Sequence, residues 1–240
     1  MEPEVVQVWK RDALGRVELV RSAGGLAVRR VASGGRLPFS RRVARALLRR
    51  EERALRALEG VPGVAWVLDQ SRAGDVLVRS FLPGTPLCLA RELPRDFFER
   101  LEELVRALHE RGVCHNDLHK EGNVLVGADG YPNLVDFQLA SVHARRGRSF
   151  AVRAREDLRH VWKHRSLYLR ALGEPDPLPR EPRRSTLAEA WRRLGKPLYR
   201  RLARFAWLQR ELAAGEARRP KGGPWPTWSA PIGPRPTVSS

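Results

Sequence analysis

The hydrophobic period of this chain switches near residue 40, and that switch limits the folds open to it. Before it lie three short β-favouring runs: Val5-Val6-Gln7-Val8-Trp9, Val17-Glu18-Leu19-Val20 and Leu26-Ala27-Val28-Arg29-Arg30-Val31. Turn residues at 12–15 and 22–25 separate them, which predicts a small antiparallel meander. After it, Val43, Leu47, Leu48, Ala54, Leu55 and Leu58 recur at helical spacing, with Ser40 placed as the cap and Gly60 as the stop. Strands followed by a long amphipathic helix in so short a space imply an α+β fold.

Two further strands are expected at 64–68 and 76–78, and 81–84 reads as a connector. Apolar residues at 97, 98, 101, 104, 105 and 108 predict a helix over 97–110 that ends before Gly112. A short hairpin follows, its strands at 124–126 and 134–135 and its turn at 127–130. Beyond 140 the segment holding Arg145, Arg146, Arg148, Arg153 and Arg155 has few apolar residues. A helix is expected over about 155–172, then a Pro-rich link at 174–183 and a helical region at 186–213 broken by Pro197. The Pro-, Gly- and Ser-rich end reads as disordered. The expected domains are therefore a β-rich N-terminal lobe (1–82), a compact, mostly helical C-terminal lobe (83–213) and a disordered tail (214–240), with a cleft between the lobes.

Composition narrows the partners. Of 240 residues, 45 are Lys or Arg and 27 are Asp or Glu, a net charge of +18, which favours nucleotide phosphates, nucleic acid or an anionic membrane surface. Two cysteines, Cys88 and Cys114, exclude a disulfide scaffold and a four-thiolate zinc site and suit a reducing compartment. The N-terminus lacks the features of a secretory signal, and no stretch approaches the roughly 20 apolar residues of a membrane span. A cytoplasmic location is expected, with at most peripheral contact at the inner membrane.

The chemistry concentrates in His115-Asn116-Asp117-Leu118-His119-Lys120-Glu121-Gly122-Asn123 and, across the hairpin, Leu134-Val135-Asp136-Phe137-Gln138. A hairpin brings its ends together, so Asn123 and Asp136 face one point. Oxygen ligands of this kind suit Mg2+, which keeps substrate phosphates and waters in its shell. The separate carboxylate of Asp117 is placed to take a proton from an attacking hydroxyl. The two segments resemble the catalytic and metal-binding loops of protein-kinase-like enzymes, in the form found in a bacterial subgroup related to RIO-type and lipopolysaccharide core sugar kinases. The resemblance runs from about Trp9 to about Arg170. It also includes Trp9-Lys10-Arg11-Asp12 with Gly15, the Ala27-Val28-Arg29-Arg30 strand and Arg155-Glu156-Asp157-Leu158-Arg159-His160.

That resemblance implies a two-lobed kinase-like fold and an ATP- and Mg2+-dependent phosphotransferase. It implies Asp117 as catalytic base, Lys120 as a charge near the transferred phosphoryl group, and Asn123 and Asp136 as Mg2+ ligands. Arg29 occupies the place of the phosphate-gripping strand lysine, with Glu51 as its helix partner and Arg30 and Glu52 as the neighbouring alternatives. The chain departs from the pattern in several places. An arginine replaces that lysine. Asn123 lies six residues after Asp117 rather than five. Gln138 follows Asp-Phe in place of glycine. Gly15 alone remains of the glycine-rich loop, which leaves phosphate grip to Lys10 and Arg16. The acceptor is a hydroxyl of a protein Ser/Thr or of a lipopolysaccharide core sugar. A turnover-free pseudokinase scaffold and a polyanion-binding module are the competing readings, and nucleic acid ranks last because no recognition motif accompanies the charge. The basic residues of 155–172 and the amphipathic stretch 191–208 are candidate surfaces for an anionic acceptor and an anionic bilayer.

Overall fold

Two tight hairpins build the N-terminal end of the chain. A computed structural model describes residues 3–12, 14–22, 24–33, 40–71, 73–175 and 224–230. Strands β1 (Glu4–Asp12), β2 (Gly15–Ser22) and β3 (Gly25–Ala32) form where the β-branched runs lie. Asp12 pairs with Gly15 and Ser22 with Gly25, so each hairpin loop has two residues. Gly15 has φ +145°, and a Cβ there would overlap the carbonyl oxygen of Val31, so only glycine fits this turn. With β4 (Val67–Gln70) and β5 (Val76–Ser80) they form an antiparallel sheet of order β1-β2-β3-β5-β4. The strand expected at 64–68 starts later, because Val64 forms a bridge to Leu134 instead.

Helix α1 (Ser40–Ala57) carries one correction to the sequence reading. Its buried stripe is Ala44, Leu48, Glu51 and Leu55, continued by Leu58, while Val43 is half exposed. The spacing of four, three and four residues is helical, and a glutamate sits in the middle of it.

Helix α2 (Phe97–Glu110) matches its pattern and buries Phe97, Phe98, Leu101, Leu104, Val105 and Leu108. Gly112, at φ +72°, ends it, and its N–H donates to His109 O at 2.9 Å. Three small pairings surround the helix. Strand β6 (Thr85–Pro86) joins the hairpin of β9 (Val124–Val126) and β10 (Pro132–Leu134), and β8 (Val113–Cys114) pairs with β11 (Ser141–Val142). The second hairpin strand thus ends where it was expected to begin. Helix α3 (Arg148–Ala171) starts seven residues earlier than the 155 expected from the pattern. Its inward stripe, Phe150, Asp157, Val161, His164 and Tyr168, mixes apolar and polar side chains. Leu93, Leu101 and Leu108 are fully buried between these elements, and a Leu→Ala change at such a site costs about 2–5 kcal/mol.

The end of the chain gives a second correction. Within the expected disordered tail 214–240, strand β12 (Thr227–Ser229) pairs in parallel with β7 (Glu92–Pro94), and Trp225 and Trp228 pack against the core. Composition pointed to disorder, but two indoles bury enough apolar surface to dock a short Pro-flanked segment. The helical region expected at 186–213 lies outside the described residues. Among the described residues, no helix is long and apolar enough to cross a membrane.

Candidate active site

Asp157 of α3 organises the loop that follows β8. Its buried carboxylate accepts the backbone N–H groups of His115 at 2.8 Å and Asn116 at 2.9 Å. Asn116 holds the left-handed conformation at φ +64°, and its side-chain amide donates to Leu139 O at 2.8 Å. His115 Nδ1 accepts the N–H of Asp117 at 3.3 Å, so its Nε2 carries the proton donated to Val135 O at 3.0 Å. The ring also stacks on Phe137 at 4.7 Å, tying this loop to the segment after β10. His164 Nε2 donates to Leu118 O at 2.8 Å. The sequence pattern includes Asp157 without a role; it is the residue that fixes the loop.

Asp117, placed by this scaffold, is nearly buried. Its Oδ2 accepts from Asn123 Nδ2 at 3.1 Å and lies 3.2 Å from Lys120 Nζ. Its Oδ1 is 3.0 Å from Nδ1 of the more exposed His119. Burial raises the carboxyl's pKa, and His119 and Lys120 outweigh it, so the group sits below its usual range and is ionised. Asn123 spends its N–H2 on Asp117, donating also to Asp117 O at 3.0 Å, which leaves its side-chain carbonyl as an acceptor.

The hairpin brings Asp136 beside this group. The ladder between β9 and β10 continues with Val135 N–H donating to Asn123 O at 3.0 Å. Asp136 then turns left-handed at φ 64°. Its Oδ1 is buried, accepts no hydrogen bond among the described residues, and has Arg30 Nη1 4.0 Å away. A buried carboxylate oxygen left without a donor is a place for a cation.

The opposite wall corrects the expected Arg29–Glu51 pair. Arg29 Nε donates to Glu18 at 2.8 Å, its cross-strand partner in the register of β2 and β3. Arg30 Nη1 reaches Glu51 at 3.0 Å. Adjacent strand residues point to opposite faces, and the cleft side belongs to Arg30. Glu51 on its buried helix stripe is also 3.3 Å from Arg79 Nε, a second cation that the sequence reading did not single out. Arg79 lies opposite Val28 in the register of β3 and β5, which puts both on this face.

Arg30, Glu51, Arg79, Asn123 and Asp136 line one cavity of about 720 Å³, which also takes in His119, Lys120, Lys10 and Gln138, and Asp117 meets it through Asn123 and Lys120. Its apolar part is made by Val17, Val28, Phe81 and Leu125, with Trp9 tilted over Phe81 at 5.9 Å. Arg16 turns to Glu18 instead of the cavity, so Lys10 alone of the two expected phosphate cations lines it. On α3, Arg159 pairs with Glu156 at 2.9 Å and Arg165 with Glu99 at 2.7 Å, so these two basic residues serve the fold.

The cavity joins a slot that suits a planar ring, cations that suit an anion, and carboxylates that suit a divalent ion and a proton. No family model matches the chain. It is 32% identical over 165 residues to CBL-interacting protein kinase 16 of Oryza sativa subsp. japonica, a match covering 59% of this chain and 36% of that protein. It is 30% identical over 88 residues to serine/threonine-protein kinase CHK1 of Mycosarcoma maydis, covering 37% of this chain and 13% of that protein. The chain thus spans about a third of the first relative and about an eighth of the second, and over those stretches it is similar to protein kinases.

Proposed function

We propose that this chain is an ATP- and Mg2+-dependent phosphotransferase with a two-lobed kinase-like fold that acts on a hydroxyl group. The observation that carries the reading is that Asn123 and Asp136 line one cavity with Arg30 and Glu51, and that the buried Asp117 is held by two residues of that lining, Asn123 at 3.1 Å and Lys120 at 3.2 Å. The residues fit the two bound groups the reading needs. Among the described residues Asp136 Oδ1 lacks a hydrogen-bond donor, as a metal ligand should, and Arg30, held by Glu51, lies 4.0 Å from it. Asn123 and Asp136 would hold Mg2+, which supplies neutralisation of phosphate charge. Arg30 grips the phosphates as a planar fork rather than as the point charge of a lysine. Val17, Val28, Phe81 and Leu125 enclose the base.

Asp117 performs the proton step. Its Oδ1, which has only the more exposed His119 beside it among the described residues, accepts the proton of the acceptor hydroxyl, while Asn123 and Lys120 hold Oδ2 and so aim the carboxylate. Lys120 also offers positive charge to the group in transfer. The acceptor in this reading is a protein Ser or Thr side chain, in line with the names of the two matched kinases; a sugar of the lipopolysaccharide core is the alternative hydroxyl. A scaffold without turnover would not need Asp117, Asn123 and Asp136 arranged in this way.

The test is transfer of γ-labelled phosphate, with and without Mg2+, into protein fractions and into lipopolysaccharide core fractions. Label in protein that requires Mg2+ and is lost in Asp117→Asn supports the reading. Label in the sugar fraction moves the acceptor, and no label in either with intact Mg2+-ATP binding points to the scaffold.

A further inference from the structure

Two contacts in series, Trp225 on Tyr168 and Tyr168 on Glu121, connect residues 224–230 to the lining of the cavity. The ring of Trp225 meets Tyr168 edge-on at 5.1 Å and 86°. Tyr168 is fully buried, and Phe98 holds its ring at 5.4 Å. Its hydroxyl shares one proton between Leu87 O at 2.9 Å and Glu121 Oε2 at 2.8 Å. Glu121 opens the short turn Glu121–Asn123 and lines the cavity, two residues before the amide that holds Asp117. The segment carrying Trp225 is itself fastened. Thr227 N–H donates to Arg91 O at 2.9 Å, and Thr227, Trp228 and Ser229 pair with Glu92, Leu93 and Pro94.

We propose that residues 224–230 are a strap, and that Trp225 is a positioning residue for the loop 120–123, acting through Tyr168 and Glu121. The physical basis is the cost of a misplaced Tyr168. A phenol keeps a charge-assisted hydrogen bond to a carboxylate only while its ring is wedged in one orientation, and Phe98 and Trp225 both wedge it. Without Trp225 one face of the ring loses its contact and the hydroxyl swings. Glu121 then loses a buried donor that helps to fix the turn, and the aim of Asn123, at the end of that turn, at Asp117 loosens. The loop's role in nucleotide binding rests on the phosphotransferase reading; the strap's grip on the loop does not.

The experiment uses the full chain with single substitutions and two readouts, amide hydrogen exchange and Mg2+-ATP affinity by calorimetry. In Trp225→Ala, the Asn123 amide, which donates to Lys120 O at 3.1 Å, should exchange about tenfold faster. Tyr168→Phe, which keeps the ring and drops only the hydroxyl, should do the same. The double variant should be no worse than the more affected single one, because both break one relay. Trp225→Phe should restore most of the protection. Affinity should fall about three- to tenfold in the variants that free the loop. If the wild type binds no nucleotide while exchange follows this pattern, the strap stands and the phosphotransferase reading fails. Faster exchange confined to Leu93 with Asn123 unchanged, or additive effects in the double variant, would overturn the strap.

Discussion

Arg29 and Arg30 are neighbours on one strand with different tasks. Arg30 holds Glu51 at the cavity, and Arg29 holds Glu18 on the other face of the sheet. Arg30→Ala should weaken Mg2+-ATP binding by about one to two orders of magnitude, the scale of a charge-assisted hydrogen bond of about 1.5–3 kcal/mol. Arg29→Ala should spare affinity and lower the Tm, since Glu18 would lose one of its two cations among the described residues and keep Arg16. Calorimetry on the pair checks both, and equal affinity losses would undo the assignment. The sequence leaves this phase open for a physical reason. Alternation reveals a strand's faces only where one face is wet, and Ala27 and Val28, on opposite faces, are both buried. By contrast the approach of Asn123 to Asp117 and to the strand end that carries Asp136 follows from a short loop and a hairpin, which need no phase. Asp136→Ala should abolish Mg2+-dependent nucleotide binding, as the neutral amide of Asn123 offers no compensating charge; unchanged affinity in calorimetry would show that Asp136 is not a metal ligand.

Helix α3 is the element whose purpose the sequence hides. Arginines crowd its first turns, and its inward stripe carries Asp157 and His164 where an apolar pattern would have marked it. The stripe is polar because it serves the loop: Asp157 takes two backbone N–H groups and His164 supplies one hydrogen bond to Leu118 O. Replacing Asp157 by Asn keeps the shape and removes the charge, and one of its two oxygens becomes a donor facing a backbone N–H. Stability should drop by about 2–4 kcal/mol, from the weakened bonds and one buried donor without an acceptor. Phosphate transfer should fall more than nucleotide affinity, because the loop it clamps carries Asp117. Thermal unfolding together with exchange at the His115 and Asn116 amides tests this. Unchanged exchange there would mean that β8 and β11 fix the loop without Asp157.

At the scale of the whole molecule, the order of strands, α1, strands, α2, hairpin and α3 is readable from periodicity over the described residues, and the docking of 224–230 is not. Pro224-Trp225-Pro226-Thr227-Trp228 has the composition of a linker, and its contacts with β7 and α3, distant in sequence, are what composition does not show. Buried histidines on α3 give the folded protein a pH dependence with a definite sign. Burial first, then the neighbouring Arg159, pushes His160 down to about 3. Arg159 Nη2 lies 3.2 Å from its Nε2, a donor that a protonated ring would repel. Burial also lowers His164, against the pull of its bond to Leu118 O. In the unfolded chain both rings take a proton near pH 6.5, so below that pH the unfolded state binds protons that the native state refuses. Stability is therefore fully present above about pH 6.5 and falls as the pH drops, by at most about 1.4 kcal/mol per pH unit for each ring. Asp117, held below its usual range, adds a further loss in stronger acid. Urea unfolding at pH 7.5, 6.5, 5.5 and 4.5 should show midpoints falling below pH 6.5, and His160→Gln should flatten the slope by removing one of the two groups. A midpoint constant from pH 7.5 to 5.5 would mean that neither ring is held neutral by the fold.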